Sequence, residues 1–231
     1  MTLYETIFLR RAVRKYDMAP LDASIITDIK NFIDNIAQMD GQTAKLEIVE
    51  AKEVNNSMAP HYILAYCEDS DNANANVGFC LQAVDLYIQS LGLGSLWLGM
   101  AKPNSNEPNY CIMLAFGRSD VPFRKDESEF DRVPLNKISS EDNSISRAVR
   151  LAPSAINTQP WKLGFEPGKV IIEYFGRGAM KLVVRKKLAK IDLGIATRHA
   201  VIALEHEGKT IQSLKPVTDR KEFRIEVEYS G

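Results

Sequence analysis

Two long apolar segments of this sequence resemble each other at a separation of about half the chain. Gly78 and Gly92 bracket the first, and Gly194 and Gly208 bracket the second; the glycines of each pair are 14 positions apart, and the second pair is offset from the first by 116 positions. The other matching segments are residues 46–50 with 162–166 and residues 110–117 with 224–231. Chance similarity of amphipathic segments is the alternative, but three ordered matches favour a decayed duplication. Two such units would pack as a pseudo-two-fold pair within one chain.

Hydrophobic periodicity predicts that helices alternate with strands. Apolar residues at helical spacing predict helices at residues 21–38, where Asp22 could cap the first turn, and at residues 76–91, before Gly92. Short apolar or alternating runs predict strands at residues 45–50, 62–67, 96–100 and 110–116. Residues 118–142 are highly charged and predict a solvated connector, with Arg132 as the exception.

Composition limits the function without identifying it. The chain has 231 residues and a formal net charge of −1, which argues against general nucleic-acid binding because that function requires a cationic surplus. The three cysteines form no close pair and the three histidines are scattered, so neither a disulfide framework nor a metal site is predicted. No apolar run approaches a membrane span, and the first residues lack the pattern of a signal peptide, so we expect a soluble cytoplasmic protein.

The first candidate for chemistry is the basic segment at residues 10–14. Arg10, Arg11 and Arg14 place three guanidinium groups within five residues, and guanidinium groups bind phosphate through paired hydrogen bonds. The alternative is an ordinary solvated basic surface.

The second candidate is the segment Ala-Pro-Ser-Ala-Ile-Asn-Thr-Gln-Pro-Trp at residues 152–161. Its short polar side chains are more numerous than a structural turn needs, and an amide side chain can donate and accept hydrogen bonds at once. This composition suits a planar heterocycle with alternating donors and acceptors. A helix end followed by a polar turn is the alternative.

The third candidate is the Gly-rich segment Leu-Gly-Leu-Gly-Ser-Leu-Trp-Leu-Gly at residues 91–99. Its glycines would let the backbone approach a ligand closely. The spacing differs from G-x-G-x-x-G and the segment follows a helix instead of opening one, so it does not predict a dinucleotide-binding fold.

Together these segments resemble the nitroreductase family of flavoenzymes. Members typically have an Arg-rich start, an Ala-Pro-Ser-x-x-Asn-x-Gln-Pro-Trp loop, a long central helix ending in Leu-Gly-Leu-Gly, a strand ending in Gly, and a basic residue before Pro-Leu. The counterparts here are residues 10–14, 152–161, 91–94, 114–117 and 132–135. The resemblance implies an α+β fold of two pseudo-symmetric halves, each with a mostly antiparallel sheet packed on helices around a long central helix.

The order of these motifs differs from the family pattern. The Pro-Ser-x-x-Asn loop is expected soon after the Arg-rich start, but residues 36–42 lack it and it stands in the second half. The family forms its FMN sites between two subunits, so the resemblance implies a single-chain version of such a dimer. We expect a first half at residues 1–135, a second half at residues 136–231, one complete flavin site and one inactive pseudo-symmetric site.

The resemblance also implies roles for particular residues. Arg10, Arg11, Arg14 and Arg132 would bind the phosphate and ribityl end of FMN. The residues expected to line the isoalloxazine ring are Pro153, Ser154, Ala155 and Asn157, with Trp97, Leu98 and Gly99 beside it. Ala12 stands where the family often has Ser, which removes a hydroxyl worth about 1 kcal/mol of net hydrogen bonding.

The implied activity is hydride transfer from NADH or NADPH through FMN to a nitroaromatic, a quinone or a similar planar small molecule. The flavin would supply the chemistry, so no catalytic side chain is expected, and a monomeric pseudo-dimer is plausible. Two alternatives stay open at this point. One is a flavin-binding protein without turnover, and the other is a non-flavin α/β module whose basic segment binds an acidic partner.

Overall fold

The fold consists of five helices and eight strands in the residues described, which are 1–176, 186–219 and 222–231 of a computed structural model. The helices are α1 (Leu3–Leu9), α2 (Ala23–Asp34), α3 (Asp71–Ser90), α4 (Ser144–Arg150) and α5 (Lys186–His206). The strands are β1 (Lys45–Glu50), β2 (His61–Tyr66), β3 (Gly94–Leu98), β4 (Tyr110–Gly117), β5 (Trp161–Glu166), β6 (Lys169–Tyr174), β7 (Thr210–Asp219) and β8 (Glu222–Ser230).

The strands form two antiparallel sheets with the same topology. The first sheet has the order β1-β2-β4-β3 and the second the order β5-β6-β8-β7. In each sheet the long helix, α3 or α5, connects the second strand in sequence to the third. The two halves therefore repeat one β-β-α-β-β unit, and the predicted α+β fold with two pseudo-symmetric halves is confirmed.

Both long helices end in the same way. The backbone amide of Leu93 donates to the carbonyl oxygen of Ile88, and that of Lys209 donates to the carbonyl oxygen of Leu204, at 3.3 and 3.0 Å. Between them stand Gly92 and Gly208 with φ of +82° and +77°, a conformation that glycine adopts without steric cost. The glycines that marked the repeat in sequence are thus equivalent helix caps.

The helices α3 and α5 cross at the other pair of repeat glycines. A Cβ atom on Gly78 would lie 2.0 Å from the carbonyl oxygen of Ile191, and one on Gly194 would lie 1.9 Å from that of Ala75. Ile191 lies three positions before Gly194, and Ala75 lies three positions before Gly78. Each helix therefore contacts the other in the same way. Only glycine permits this approach of the two backbones.

The halves share their interior. The largest cluster of buried apolar side chains takes members from both halves, including Phe79 on α3, Ile195 on α5 and Trp161 on β5. A second, smaller cluster covers the other face of the first sheet around Tyr62 and Met113. The division of the chain at residue 135 stays a prediction.

Several local predictions need correction. Helix α3 begins at Asp71, earlier than the apolar pattern indicated, because Ser70 caps it and its first turns are polar but buried. Asp22 precedes α2 but makes no capping hydrogen bond, because its carboxylate accepts from Arg118 Nη2 at 2.6 Å. The connector is not simply solvated, since Phe130 and Ile138 are buried in the main cluster.

Two cysteines that are distant in the sequence meet at the end of β2. The sulfurs of Cys67 and Cys111 lie 3.8 and 3.3 Å from the same atom, Asn74 Oδ1. Both are free thiols. Strand pairing thus brings together residues whose spacing gave no sign of a pair.

In the described part of the chain, no helix combines the length and apolarity needed to cross a membrane.

The helix crossing gives a stability prediction. Gly78→Ala and Gly194→Ala should each lower the free energy of unfolding by about 3 kcal/mol or more, because the new methyl group overlaps a backbone oxygen that cannot move aside. Urea denaturation monitored by circular dichroism measures this. The control is Gly164→Ala, whose Cβ would lie 3.7 Å from Ile171 Cβ, an ordinary contact. Equal midpoints for Gly78→Ala and the control would contradict the tight crossing.

Candidate functional site

Arg10, at the end of α1, is buried in an ion pair. Its Nε donates to Asp85 Oδ2 on α3 at 3.0 Å, and the two side chains are 3% and 0% exposed. Gln82 and Gln89 donate to the same carboxylate, at 3.1 and 3.2 Å, and Ser95 donates to it at 2.5 Å. Every lone pair of a buried carboxylate needs such partners, so this network fixes where the basic segment begins.

The rest of the basic segment lies along the edge strand β3. The backbone amide of Val13 donates to the carbonyl oxygen of Ser95 at 2.9 Å, and Ala12 pairs with Ser95 as a parallel bridge. The amide of Arg11 donates to Gln89 Oε1 at 2.8 Å, and its guanidinium pairs with Glu129. Arg14 is exposed. The segment is thus held by its backbone, which leaves the side chain of Arg11 partly exposed and that of Arg14 at the surface of the first half.

The connector adds two arginines to this cluster. Arg124 donates to the backbone oxygen of Arg10, and its guanidinium lies 4.1 Å from the centre of the Phe130 ring. Arg132 lies 5.4 Å from the same ring. Burial, followed by the charges of Arg10 and Arg124, lowers the pKa of Arg132 to about 10. Like charges are therefore concentrated around Phe130, at the junction of the two halves.

Arg132 joins this cluster to the Pro-Ser loop. Its Nη1 donates to Asn157 Oδ1 at 2.8 Å, and its Nη2 donates to the backbone oxygen of Leu151 at 3.1 Å. Asn157 Nδ2 donates to the backbone oxygen of Asp131 at 2.9 Å. The carboxamide of Asn157 is therefore engaged at both ends by the connector, and its contact with a ligand stays a prediction.

The Pro-Ser loop has an unusual backbone. Ile156, Asn157 and Gln159 have φ of +45°, +59° and +46°, a left-handed region that non-glycine residues seldom adopt. Ser154 Oγ accepts a hydrogen bond from the backbone amide of Gln159 at 2.8 Å, and Gln159 Oε1 accepts one from the amide of Val133 at 2.8 Å. Side chains rather than regular structure hold this conformation, which is typical of a binding loop.

A buried carboxyl group on α5 holds the other side of the loop. Asp192 Oδ1 accepts from the backbone amide of Ala155 at 2.9 Å. Burial raises the pKa of Asp192 to about 8 although the Ala155 amide opposes the shift, so the group is mostly protonated at neutral pH. Its Oδ2 has no hydrogen-bond partner among the residues described.

The strand end that was predicted to lie beside the ring approaches the beginning of α5. Trp97 and Leu98 are half-buried, and Gly99 is exposed. A Cβ atom on Gly99 would lie 3.7 Å from Leu188 Cδ2, one turn of α5 before Asp192. Trp97 Nε1 is buried and finds no acceptor in the described part of the chain.

The contacts above link some of the predicted residues into one cluster, and the other residues lie beside this cluster or apart from it. Arg10, Arg11, Arg132 and Asn157 are linked into one cluster by the contacts above, and Ser154 and Ala155 lie in the same loop. Pro153 is half-buried beside them, and the side chain of Arg14 has no described link to the loop. Sequence reasoning missed Arg124 and Asp192. Arg124 stood in a charged run that did not distinguish it from its neighbours. Asp192 could have been found, because it lies two residues before the repeat glycine Gly194.

The charge balance of the cluster fits a bound anion. Arg10 and Arg11 have carboxylate partners, whereas neither Arg124 nor Arg132 has one within ion-pair distance among the described residues. Their hydrogen bonds go to carbonyl and amide oxygens, which do not neutralise them. A phosphate group would supply that charge, with the stronger hydrogen bonds that ionised partners form.

Comparison with known proteins agrees with this arrangement. A family model described as "Putative TM nitroreductase" matches residues 2–204, which is most of the chain. The chain belongs to this nitroreductase family. The match covers the basic segment, the Gly-rich segment and the Pro-Ser loop. No curated protein is similar enough in sequence to match it.

One solved nitroreductase structure shares the fold over nearly the whole chain, and others match part of it. A "putative nitroreductase" from Thermotoga maritima has 23% sequence identity and a TM-score of 0.73, over 99% of this chain and 94% of that one. A nitroreductase with bound FMN from Desulfitobacterium hafniense has 14% identity and a TM-score of 0.44, over 58% of this chain and 100% of that one. Another in complex with FMN, from Desulfovibrio desulfuricans, has 15% identity and a TM-score of 0.46, over 62% and 98%.

The buried carboxyl group gives a pH-dependent stability prediction. The pKa of Asp192 is raised in the folded chain, so between about pH 4 and pH 8 the unfolded state loses a proton that the native state keeps, and stability falls as pH rises. Asp192→Asn keeps the acceptor for Ala155 and removes this penalty. The unfolding free energy of Asp192→Asn should exceed that of the wild type, and this difference should increase by up to about 1.4 kcal/mol per pH unit in that window. Urea midpoints at pH 5 and pH 8 test this, and an equal difference at both would contradict it.

Proposed function

We propose that this chain is an FMN-dependent oxidoreductase that uses NADH or NADPH to reduce a planar acceptor such as a nitroaromatic or a quinone. Family membership supports an oxidoreductase. The observation that carries the proposal is the hydrogen bond from Arg132 to Asn157, because it joins the connector to the Pro-Ser loop. Arg124 of the same connector donates to the backbone oxygen of Arg10, so the two elements expected to hold opposite ends of FMN are linked through the connector.

The arginine cluster would bind the phosphate end. Arg132 and Arg124 have charges that no described carboxylate neutralises, and Arg11 and the exposed Arg14 lie on the adjacent segment. Arg10 would act mainly through its ion pair with Asp85, which fixes that segment on α3. Bidentate guanidinium contacts to phosphate are among the strongest hydrogen bonds in proteins.

The loop and the end of β3 would bind the ring. Ser154, Ala155 and Asn157 would line one edge of the isoalloxazine, Pro153 would pack against it, and residues 97–99 would present backbone amides on the other side. Both parts are attached to α5, through Asp192 and Leu188. Bound FMN would supply the hydride-transfer chemistry, and the chain would supply binding, orientation and charge.

One such site per chain is expected. At the positions equivalent to Ser154 and Asn157 the first half has Gln38 and Gly41, so it lacks the loop chemistry. The contact between α3 and α5 within the chain would replace the contact between subunits in dimeric members. A monomer with one flavin is therefore the proposed active form.

The visible absorption spectrum of the protein with added FMN is the decisive measurement. We expect one FMN per chain, bleaching of the flavin band by NADH or NADPH without oxygen, and return of the band on adding a nitroarene or quinone. Bound FMN that neither nucleotide reduces would favour a flavin-binding protein without turnover. No uptake of FMN would reject the flavin proposal and favour the interaction module.

A matched pair of variants tests the single asymmetric site. Asn157→Ala should weaken FMN binding, because Arg132 loses the acceptor that orients it and the loop loses its bond to Asp131. Gly41→Ala changes the equivalent position, which also has positive φ, +68° against +59°. It should leave the FMN dissociation constant unchanged. Equal losses in fluorescence-monitored FMN titrations would argue against one asymmetric site.

A further inference from the structure

The two halves hold their equivalent loops with the same hydrogen bond. On α3, Asn76 Oδ1 accepts from the backbone amide of Met39 at 2.8 Å. On α5, Asp192 Oδ1 accepts from the backbone amide of Ala155 at 2.9 Å. Both residues of the second pair stand 116 positions after those of the first. The duplication has therefore preserved this helix-to-loop contact.

The second atom of each side chain behaves differently. Asn76 Nδ2 donates to Gln38 Oε1 at 2.8 Å, and the same oxygen accepts from the backbone amide of Ala44 at 2.6 Å, which closes the first loop. In the second half the shorter Ser154 occupies the position of Gln38. Asp192 Oδ1 is fixed by the equivalent amide, but its Oδ2 has no counterpart of this glutamine to bond to among the described residues.

This arrangement is costly for the protein alone. Asp192 is buried, and its Oδ2 is without a partner in the described part of the chain. A buried polar group without a hydrogen-bond partner destabilises the folded protein. An asparagine holds the loop equally well in the first half, so holding the loop does not explain the carboxyl group. A ligand that forms a hydrogen bond with Asp192 Oδ2 would explain the carboxyl group.

We propose that Asp192 is a ligand-recognition residue, whose open oxygen bonds to a carbonyl or ring-nitrogen acceptor of the planar heterocycle held by residues 153–157. This inference rests on the proposed function, in which that heterocycle is the flavin ring. The protonated carboxyl group donates the hydrogen bond, and ionisation would replace the donor with a repelling lone pair.

Among the residues that the structure describes, no neighbouring charge is paired with this carboxyl group. On its own helix, Lys190 pairs with Asp71 at 3.1 Å, and Arg198 donates to the backbone oxygen of Phe79 on α3 at 3.0 Å. From the loop side, Arg132 is engaged by Asn157. Burial and the Ala155 amide are the influences on its protonation.

The test compares FMN dissociation constants of the wild type and Asp192→Asn from pH 7 to pH 9.5. Asparagine keeps a donor, so binding at pH 7 should be similar, within about threefold. At higher pH the wild type should lose up to about tenfold in affinity per pH unit once the carboxyl group of the unliganded protein ionises, whereas the variant should not. A purely structural residue would not produce this difference.

Asn76→Asp is the matched control, because it places the same carboxyl group in the half without the Pro-Ser loop. Its FMN affinity should follow the wild-type pH profile, with folding checked by circular dichroism. Parallel profiles for wild type and Asp192→Asn would overturn the role of Asp192 while leaving FMN binding intact. Absence of FMN binding by the wild type would overturn both this inference and the proposed function.

Discussion

The close crossing of α3 and α5 is the contact on which the rest of this structure depends. Gly78 and Gly194 bring the two helix backbones nearer than any side chain would allow. Because the contact is reciprocal, it relates the two halves by a pseudo-two-fold axis, as the interface of a symmetric dimer would. The position of every loop at the ends of these helices follows from it.

Symmetry of the backbone has not kept the two halves chemically equal. The first half has the arginines, its own loop closed by Gln38, and the Asp85 network. The second half has the strained Pro-Ser loop and a carboxyl group with an open oxygen. Under the proposed function, each half would have kept the part of the flavin site that the other lacks.

Arg10 and Arg132 have different electrostatic surroundings, which the sequence alone does not distinguish. Arg10 is buried against Asp85 and so acts as an anchor, since a buried ion pair that loses one partner destabilises the protein strongly. Arg132 is surrounded by like charge and neutral acceptors, and burial with that charge lowers its pKa. Such a group gains most from an incoming anion, and this supports the proposal that the cluster around Phe130 binds a phosphate.

The sequence by itself determined the repeat, the family resemblance and the alternating elements, and it supplied most residues of the proposed site. These depend on local patterns, such as a glycine that ends a helix or an amide-rich segment between prolines. It did not give the start of α3, the role of Arg10, the buried part of the connector, or the contributions of Arg124 and Asp192. Those depend on which groups meet across distant segments and on how much water is excluded there. Only the tertiary structure decided them, because burial and charge proximity are properties of the packed chain and not of residue order.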